Sequence, residues 1–376
     1  MQALENFMMH EADEYNLYVQ FLDPELRQAP ILEPGRVAYL GESSNLPFLV
    51  DNGSNLAGVL HYQLPEYARD SRAKLAVMDK VEVKMLRQKG ALSLPPGGVC
   101  DDLVESYFEW VAPVLPIIDR GRFMKQYRDP DNPPSLLLLQ AIFLAASAVN
   151  SPGIIAVGKL FYKRAKALYD SGYENDRIVI IQALLLIGWY CERSRCNVED
   201  VLYWNGLATT VALGAGMHRS AERATFTLAD KRLWRRIWWT LFTRDRSTAI
   251  LGQVVQIHSD DSDVEMVSED DFVDLEYPPD VIHVQFFMHW VKLCILIDPL
   301  LSHRIGESPW IQFQNSGVAA TRFELFLSTW LTTRPQTLRW EDSRYNFWSA
   351  LLQRNYQASL SFLNSQHDSF SSMMET

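Results

Sequence analysis

Apolar residues recur at helical spacing along most of this 376-residue chain, and this periodicity limits the folds available to it more than any other feature. The periodic segments run for about 10–20 residues and are separated by proline, glycine or asparagine. Sustained alternation of apolar and polar residues, which is typical of a half-buried strand, is rare. With 48% apolar residues, the chain can bury a substantial core. The sequence therefore predicts an all-α domain of packed antiparallel helices.

The N-terminal part is the least regular. Residues 30–63 mix Gly, Pro, Ser and Asn with apolar residues, which predicts a packed irregular segment. Residues 64–90 form a charged predicted helix that ends at Gly90, because glycine tolerates the left-handed conformation that closes many helices. The stretch LSLPPGG (92–98) then predicts a boundary. We expect three regions: an irregular segment plus helix over 1–98, a helical core over 99–280, and a helical extension over 281–376 with a disordered Ser/Met-rich tail.

The longest apolar runs, 136–149 and 178–190, are shorter than the roughly 20 residues that cross a bilayer, so they predict buried helices and no membrane partner. Four cysteines without a framework spacing, and no signal-peptide pattern, predict a reducing intracellular compartment. Cys191 and Cys196 form a Cys-x4-Cys pair with no second half nearby, which favours ordinary helix-end cysteines over a structural zinc site.

Residues 231–246, KRLWRRIWWTLFTRDR, contain six cationic side chains and three tryptophans. Just before them, Thr227 and Asp230 have the Thr-x-x-acid spacing of a capping box, so a helix is predicted to start there. A rotation of about 100° per residue places an apolar stripe on one face of this helix and polar residues away from it. The stripe consists of Trp234, Ile237, Trp238, Leu241 and Phe242, and the residues predicted to point away are Arg236, Thr240 and Thr243.

This pattern predicts a core helix with a charged back, because a DNA-reading helix inserts polar side chains into the groove and does not bury three tryptophans. A basic, DNA-binding patch is the alternative. Arg235 and Trp239 lie one turn apart on the flank of the stripe, where we expect them to stack. Asp245 falls in the middle of the stripe, where an unpaired carboxylate is very unfavourable, so we expect it to have a partner from another helix.

The formal net charge of −11 argues against a non-specific electrostatic grip on nucleic acid. Nine carboxylates and no Lys or Arg lie between Ser259 and Glu276, so the rest of the chain is nearly neutral. The apolar residues within this acidic stretch leave an activation segment open as an alternative to an ordered loop.

Within the acidic stretch, DDSDVE (260–265) has the Asp-Asp-x-x-x-Glu spacing by which some class I terpene synthases bind magnesium diphosphate. A magnesium-dependent enzyme is thus an alternative, although the second metal motif of those synthases is missing.

The chain has no Gly-x-Ser-x-Gly nucleophile elbow. GAGMHR (214–219) lacks a third glycine and a preceding strand, so it is predicted to end a helix. His283 and His289 lie on different helical faces and are poorly placed as joint ligands. No catalytic, cofactor-binding or metal-ligating residue is predicted.

Seven segments carry a resemblance to a known family. Four of them occur in this order: YFEWVAPVLPIIDRGRF (107–123), LGAGMHRS (213–220), KRLWRRIWWTLFTRDR (231–246) and GQVVQIHSDDSDVEM (252–266). They resemble the motifs of the fungal-specific transcription factor domain, which is the middle homology region of zinc-binuclear-cluster regulators. The other three are similar to the cutinase and acetamidase regulator branch: GRVAYLGESSN (35–45), LRQKGALSLPP (86–96) and FFMHWVKLCIL (286–296).

The resemblance implies a regulatory motif formed by the arginine-rich helix and the loop that follows it. Its residues are Arg235, Arg236, Trp238, Trp239, Asp245, Arg246, Asp260, Asp261 and Asp263. Because an Asp-rich loop follows the Arg-rich helix in this family, we expect the first carboxylates of the loop to pair with Arg235, Arg236 or Arg246.

In this family, six cysteines that hold two zinc ions form the module that reads DNA. This sequence has four scattered cysteines, so the resemblance implies a chain without its own DNA-binding module and without a cofactor, with zinc only if a cysteine cluster precedes it. We expect a shortened paralogue, a partial gene, or a partner of a protein that supplies the module. The resemblance also implies a nuclear location. The expected partners are proteins, either a DNA-binding zinc-cluster protein or a second copy of this chain, and contact with DNA is expected to be only indirect.

Three hypotheses remain open: a transcriptional regulator, a magnesium-dependent cyclase, and a non-DNA-binding scaffold that dimerises with longer relatives. Family analogy favours a regulator of catabolic or secondary-metabolite genes. We expect it to act by contact, through a cavity or groove where a small-molecule effector or a second subunit shifts a conformational equilibrium.

Overall fold

The computed structural model describes residues 29–39, 61–63, 78–150, 157–193, 198–251, 253–302, 318–340 and 346–374. Within these ranges the chain forms eleven α-helices and one antiparallel pair of short strands. The helices are α1 (Lys80–Gln88), α2 (Gly97–Ser106), α3 (Arg120–Tyr127), α4 (Leu136–Ser147), α5 (Gly158–Asp170), α6 (Arg177–Arg193), α7 (Val198–Gly214), α8 (Leu228–Ile250), α9 (Val281–Ser302), α10 (Val318–Thr333) and α11 (Phe347–Met374). The strands are β1 (Val37–Tyr39) and β2 (His61–Gln63), with Ala38 opposite Tyr62. The predicted all-α fold is confirmed.

The centre of the fold is built on helices that have almost no polar face. In α4, every side chain from Leu137 to Ser147 is buried, and a helix that is apolar on all sides must be enclosed by other elements. α4 packs against α2, α5 and α6, and α6 packs against α7. The layer continues through α8, which contacts α7 on one side and α9 on the other, and α9 in turn contacts α10 and α11.

Glycines end two of the predicted helices where the backbone turns left-handed. Gly90 has φ +64° after α1, and Gly216 has φ +77° just after α7. GAGMHR therefore ends a helix, as predicted. A side chain at Gly216 would also collide with the ring of Tyr39, so this turn requires glycine for its conformation and for the space around it.

The strand pair was not predicted. It covers the turn between α7 and α8: the His61 ring Nε2 donates to the carbonyl oxygen of Gly216 at 3.0 Å, and the same ring contacts Trp234 edge-on at 5.3 Å between centroids. Burial lowers the pKa of His61 to about 4, although the hydrogen bond to Gly216 opposes this effect. A three-residue strand is too short to show an alternating pattern in the sequence.

One helix of the described residues is long and apolar enough to cross a membrane, by length and composition only: residues 281–299 of α9, of which 56% are buried inside the protein. Its side chains Phe286, Phe287 and Leu293 belong to the apolar core, where α9 packs against α8 and α11. The sequence analysis missed this run because His283, His289 and Lys292 interrupt it.

Two predictions, one for the N-terminal part of the chain and one for its C-terminal tail, agree with the structure only in part. The helix predicted over 64–90 is described from residue 78, where it begins at Lys80, and residues 64–77 lie outside the described ranges. The tail predicted to be disordered from residue 364 is helical instead, because α11 continues to Met374. The three-region division of the chain stays a prediction.

Candidate functional site: the arginine-rich helix and the acidic loop

The tryptophan ridge of α8 faces the core. Trp234 is 1% exposed and Trp238 is 2% exposed, and the remaining residues of the predicted stripe are buried with them. The helix begins as predicted, because the Thr227 side chain accepts a hydrogen bond from the amide of Asp230 at 3.2 Å. The core face of this helix is therefore confirmed.

The prediction that Arg236, Thr240 and Thr243 point away from the core is wrong. All three are buried, and the two threonine hydroxyls donate to carbonyl oxygens of α8 itself. The reason is that α8 is covered on several sides, by α7, by α9 and by the chain that follows it. Hydrophobic spacing identifies one buried face but does not show whether a second face is covered as well.

The loop after α8 (residues 253–280, the acidic loop) runs back along the helix. Its first residues contact the C-terminal end of α8, since the amides of Gln256 and Ile257 donate to Asp245. Further along, the carbonyl oxygen of Glu265 accepts from the Trp239 indole at 2.8 Å. Asp271 lies still further along the loop and pairs with Arg235 near the start of the helix. The acidic stretch is therefore an ordered, antiparallel cover over α8.

Arg235 is neutralised by three carboxylates and not by a ring. Besides Asp271, its guanidinium contacts Glu222 at 2.6 Å and Glu265 at 3.9 Å. The predicted stacking of Arg235 on Trp239 is wrong, because the guanidinium points to these acids while the indole packs on Phe242 at 5.3 Å between centroids. Asp271 is held in place by its own turn, where it accepts from the amide of Ser268 at 2.8 Å.

Asp245 is paired, but not directly by another helix, so that expectation is corrected. It contacts Arg246, the next residue, and accepts from the amides of Gln256 at 3.1 Å and Ile257 at 3.2 Å. Arg246 provides the link between helices, because its other guanidinium nitrogen contacts Asp298 of α9 at 2.5 Å. Burial raises the pKa of the Asp245 carboxyl group, while Arg246 and the two amides oppose this effect. These contacts join α8, the acidic loop and α9 at one point.

The expected pairing of Asp260, Asp261 and Asp263 with the arginines of α8 is wrong. Asp260 and Asp261 lie on an exposed single turn, Ser259–Asp261. Asp263 accepts from the amide of Ser220 at 2.7 Å and lies 3.5 Å from Arg219, so it secures the turn after α7. Because the loop runs antiparallel to α8, its later carboxylates are the ones that reach the arginines near the start of the helix.

The four carboxylates of DDSDVE do not all converge on a common point, because Asp260 and Asp261 lie on the exposed turn. Asp263 and Glu265 both hold Ser220, through its amide and its hydroxyl group. In the part of the chain that the structure describes, no group of three or more His, Cys, Asp or Glu side chains is placed to hold a metal ion. His283 packs on Trp348 at 4.7 Å between centroids, whereas His289 is buried elsewhere on α9. Cys191 is buried, and Cys196 lies outside the described residues. The magnesium-dependent enzyme is not favoured.

Sequence reasoning missed the acids that neutralise the arginines. Asp298 is the one with a visible signal, because it is a carboxylate within the apolar stretch LCILIDPLL (293–301) and such a residue requires a cation when buried. Asp271 and Glu222 carry no such signal, since they lie among other charged residues.

Replacing Asp245 by alanine is expected to lower the free energy of unfolding by about 1–3 kcal/mol, because two amides and part of Arg246 lose their acceptor in a buried place. Chemical denaturation followed by circular dichroism measures this change. Asp261→Ala, an exposed carboxylate of the same loop, is the control and should leave the midpoint unchanged. An Asp245→Ala protein with the wild-type midpoint would show that this carboxylate faces water.

The geometry is that of a buried, acid-neutralised helix. A profile of the fungal specific transcription factor domain matches residues 104–302, which include α8, the acidic loop and α9. The chain belongs to this family. Transcriptional regulation is the function class of the fungal specific transcription factor domain family, and the resemblance stated from the motifs is confirmed.

Curated relatives place the chain in the cutinase and acetamidase regulator branch of the family. It is 50% identical over 361 residues to cutinase transcription factor 1 alpha of Fusarium vanettenii, a match that covers 92% of this chain and 40% of that protein. It is 31% identical over 370 residues to the acetamidase regulatory protein of Aspergillus oryzae, covering 95% of this chain and 46% of the relative. The chain thus spans less than half the length of these two relatives. No solved structure matches it.

Proposed function

We propose that this chain is the regulatory region of a fungal transcriptional regulator and that it acts through protein contacts without binding DNA itself. The observation that carries the proposal is the neutralisation of two of the three arginines of the α8 motif: Arg235 faces three carboxylates, and Arg246 faces two. Since affinity for the DNA backbone comes from cationic groups that release counterions, arginines already paired with acids contribute little to it.

The proposal extends to partners and location. The partners proposed for this chain are a DNA-binding zinc-cluster protein and a second copy of the chain itself. We expect it to act in the nucleus. We expect zinc only in the cysteine cluster of a DNA-binding module, as in the zinc-cluster regulators of this family. The names of the relatives support control of catabolic genes, because they describe regulators of cutinase and of acetamidase. A small-molecule effector is part of the same proposal.

A tethering experiment tests the regulatory role. The chain is fused to a heterologous DNA-binding domain in a fungal host that carries a matching reporter gene, and the DNA-binding domain alone is the control. The fusion is expected to change reporter transcription relative to that control. Reporter output equal to that of the DNA-binding domain alone would contradict a regulatory role of this region.

The absence of direct DNA binding is tested with the isolated chain and a labelled duplex at low salt. No shift is expected at micromolar protein concentrations. A shift that weakens steeply with added salt would contradict the proposal, since that dependence is the signature of phosphate contacts. Size-exclusion chromatography with light scattering, with and without a zinc-cluster relative, then distinguishes self-association from partner binding.

A further inference from the structure

A cavity of about 400 Å³ opens beside the N-terminal half of α8. It lies between the end of α2, the proline-rich chain before α3, the acidic loop and the start of α9. Its apolar walls are formed by Phe108, Ile118, Phe272, Tyr277 and Val284. Small-molecule sites in proteins commonly have volumes of about 300–1,000 Å³ and largely apolar walls, so the size and lining of this cavity suit an organic ligand.

Arg236 is the arginine of the α8 motif that lacks a hydrogen-bonded counterpart. It is 8% exposed and lines the cavity, and its Nε has no hydrogen-bond partner among the described residues. The carboxylate of Asp119 lies 3.9 Å from one terminal nitrogen, beyond hydrogen-bond distance. The ring of Phe272 lies 5.8 Å from the guanidinium carbon. Burial lowers the pKa of Arg236, with Asp119 opposing this effect.

The charges around the cavity favour an uncharged ligand over an anion. Asp119 and Asp274 belong to the lining, and both accept hydrogen bonds from backbone amides. Glu105, Glu109 and Asp280 add exposed carboxylates to the lining. The second arginine of the lining is Arg120, whose guanidinium stacks on the rings of Phe108 and Tyr277 at 5.0 Å from each centroid. The carboxylates therefore outnumber the cations in this lining, and a ligand anion would be repelled.

An independent feature of the backbone marks the same place. Residues Tyr107–Val111 form a π-helical turn that continues α2. Such turns are uncommon and frequently occur at functional sites. Here the turn directs Phe108 to the cavity wall while Tyr107 is fully buried in the core.

We infer that this cavity binds an uncharged organic molecule whose apolar body packs between Phe108, Phe272 and Tyr277 and whose carbonyl or other acceptor oxygen receives a hydrogen bond from Arg236. The identification of that molecule as an effector rests on the proposed function. The binding itself does not depend on it.

The test compares two isosteric probes, 2-naphthamide and 2-naphthoate, by titration calorimetry with the isolated chain at pH 7. The neutral amide is expected to bind, and the anion to bind at least about tenfold more weakly, because it meets the same donor but also the carboxylates of the lining. Tighter binding of the naphthoate, or no binding of the naphthamide, would overturn the inference.

Three variants locate the site. Arg236→Met should weaken naphthamide binding by about tenfold or more, the loss that corresponds to a hydrogen bond with a charged donor. Ala112→Phe places a large ring in the cavity and leaves Arg236 unmutated, and it should abolish binding. Arg232→Met, one turn away on α8 and outside the lining, is the matched control and should bind like the wild type. Thermal melting of each variant confirms that it is folded, and equal binding by all three would overturn the proposed site.

Failure of this inference is distinguishable from failure of the regulatory role. A tethered chain that leaves the reporter unchanged, together with naphthamide binding that requires Arg236, would retain the ligand site and remove the regulatory role. Reporter activity without Arg236-dependent binding would give the opposite result.

Discussion

Replacing Arg246 by methionine is expected to lower the free energy of unfolding by about 3–5 kcal/mol, the loss typical of removing one partner from a buried ion pair. Arg246 is fully buried and is shared by Asp245 on its own helix and Asp298 on α9. It also donates to the carbonyl oxygen of Ile257 at 2.7 Å and stacks on Phe242 at 4.1 Å. Methionine fills similar space but leaves two carboxylates in the interior without the cation that they share.

Urea denaturation of the two proteins measures this loss, and Arg236→Met is the matched control on the same helix. Arg236 has no side-chain hydrogen bond to a described residue and only a 3.9 Å approach to Asp119, so its replacement by an apolar side chain should change the free energy of unfolding by no more than about 1 kcal/mol. Equal destabilisation by the two substitutions would show that burial alone, and not the network around Arg246, explains the effect.

The core face of α8 was predictable from the sequence because local rules decide it. Thr227 and Asp230 fix the start of the helix, and the rotation per residue then fixes the positions of Trp234 and Trp238 on its inner face. The position of Gly216 just after α7 follows from an equally local rule, the tolerance of glycine for positive φ.

The carboxylates that pair with the arginines were not predictable, because they depend on the direction in which the acidic loop runs along α8. Arg235 pairs with Asp271, which is 36 residues away, and the nearest carboxylate to Arg236 is Asp119, on a different part of the fold. Proximity in sequence favoured Asp260 and Asp261 instead. That choice would be right only if the acidic loop crossed α8 at its C-terminal end, whereas it runs back along the helix.

The cavity could not be predicted for a related reason. Its walls come from three separate stretches of the chain, residues 105–120, Arg236 and residues 272–284, and Phe108, Tyr277 and Arg236 become neighbours only after the end of α2 and the acidic loop have packed against α8. A single sequence shows that Arg236 is a cation on a tryptophan-rich helix, but not that it lines a cavity. The difference between Arg236 and Arg246, two arginines of one motif, is therefore a property of the tertiary structure alone.

The second large effect is expected at Trp238. Replacement by alanine should lower the free energy of unfolding by about 3–5 kcal/mol, because a large ring that is 2% exposed leaves a cavity that the surrounding helices fill only in part. Denaturant titration measures this effect. Leu275→Ala is the control, since Leu275 lies on the acidic loop with 97% of its surface exposed and should tolerate the change.

The result at Trp238 bears directly on the choice between regulator and DNA reader. If the ridge is buried as described, the Trp238→Ala variant is less stable than the wild type. In the tethering experiment the variant then loses its effect on the reporter at higher temperature, and it still does not bind DNA. If the variant keeps the wild-type midpoint, the indole ring contributes nothing to the core and would have to be available at the surface beside six cationic residues of the same segment. That outcome would favour the alternative of a nucleic-acid-binding helix, because exposed aromatic and cationic side chains together are the features that bind nucleic acid.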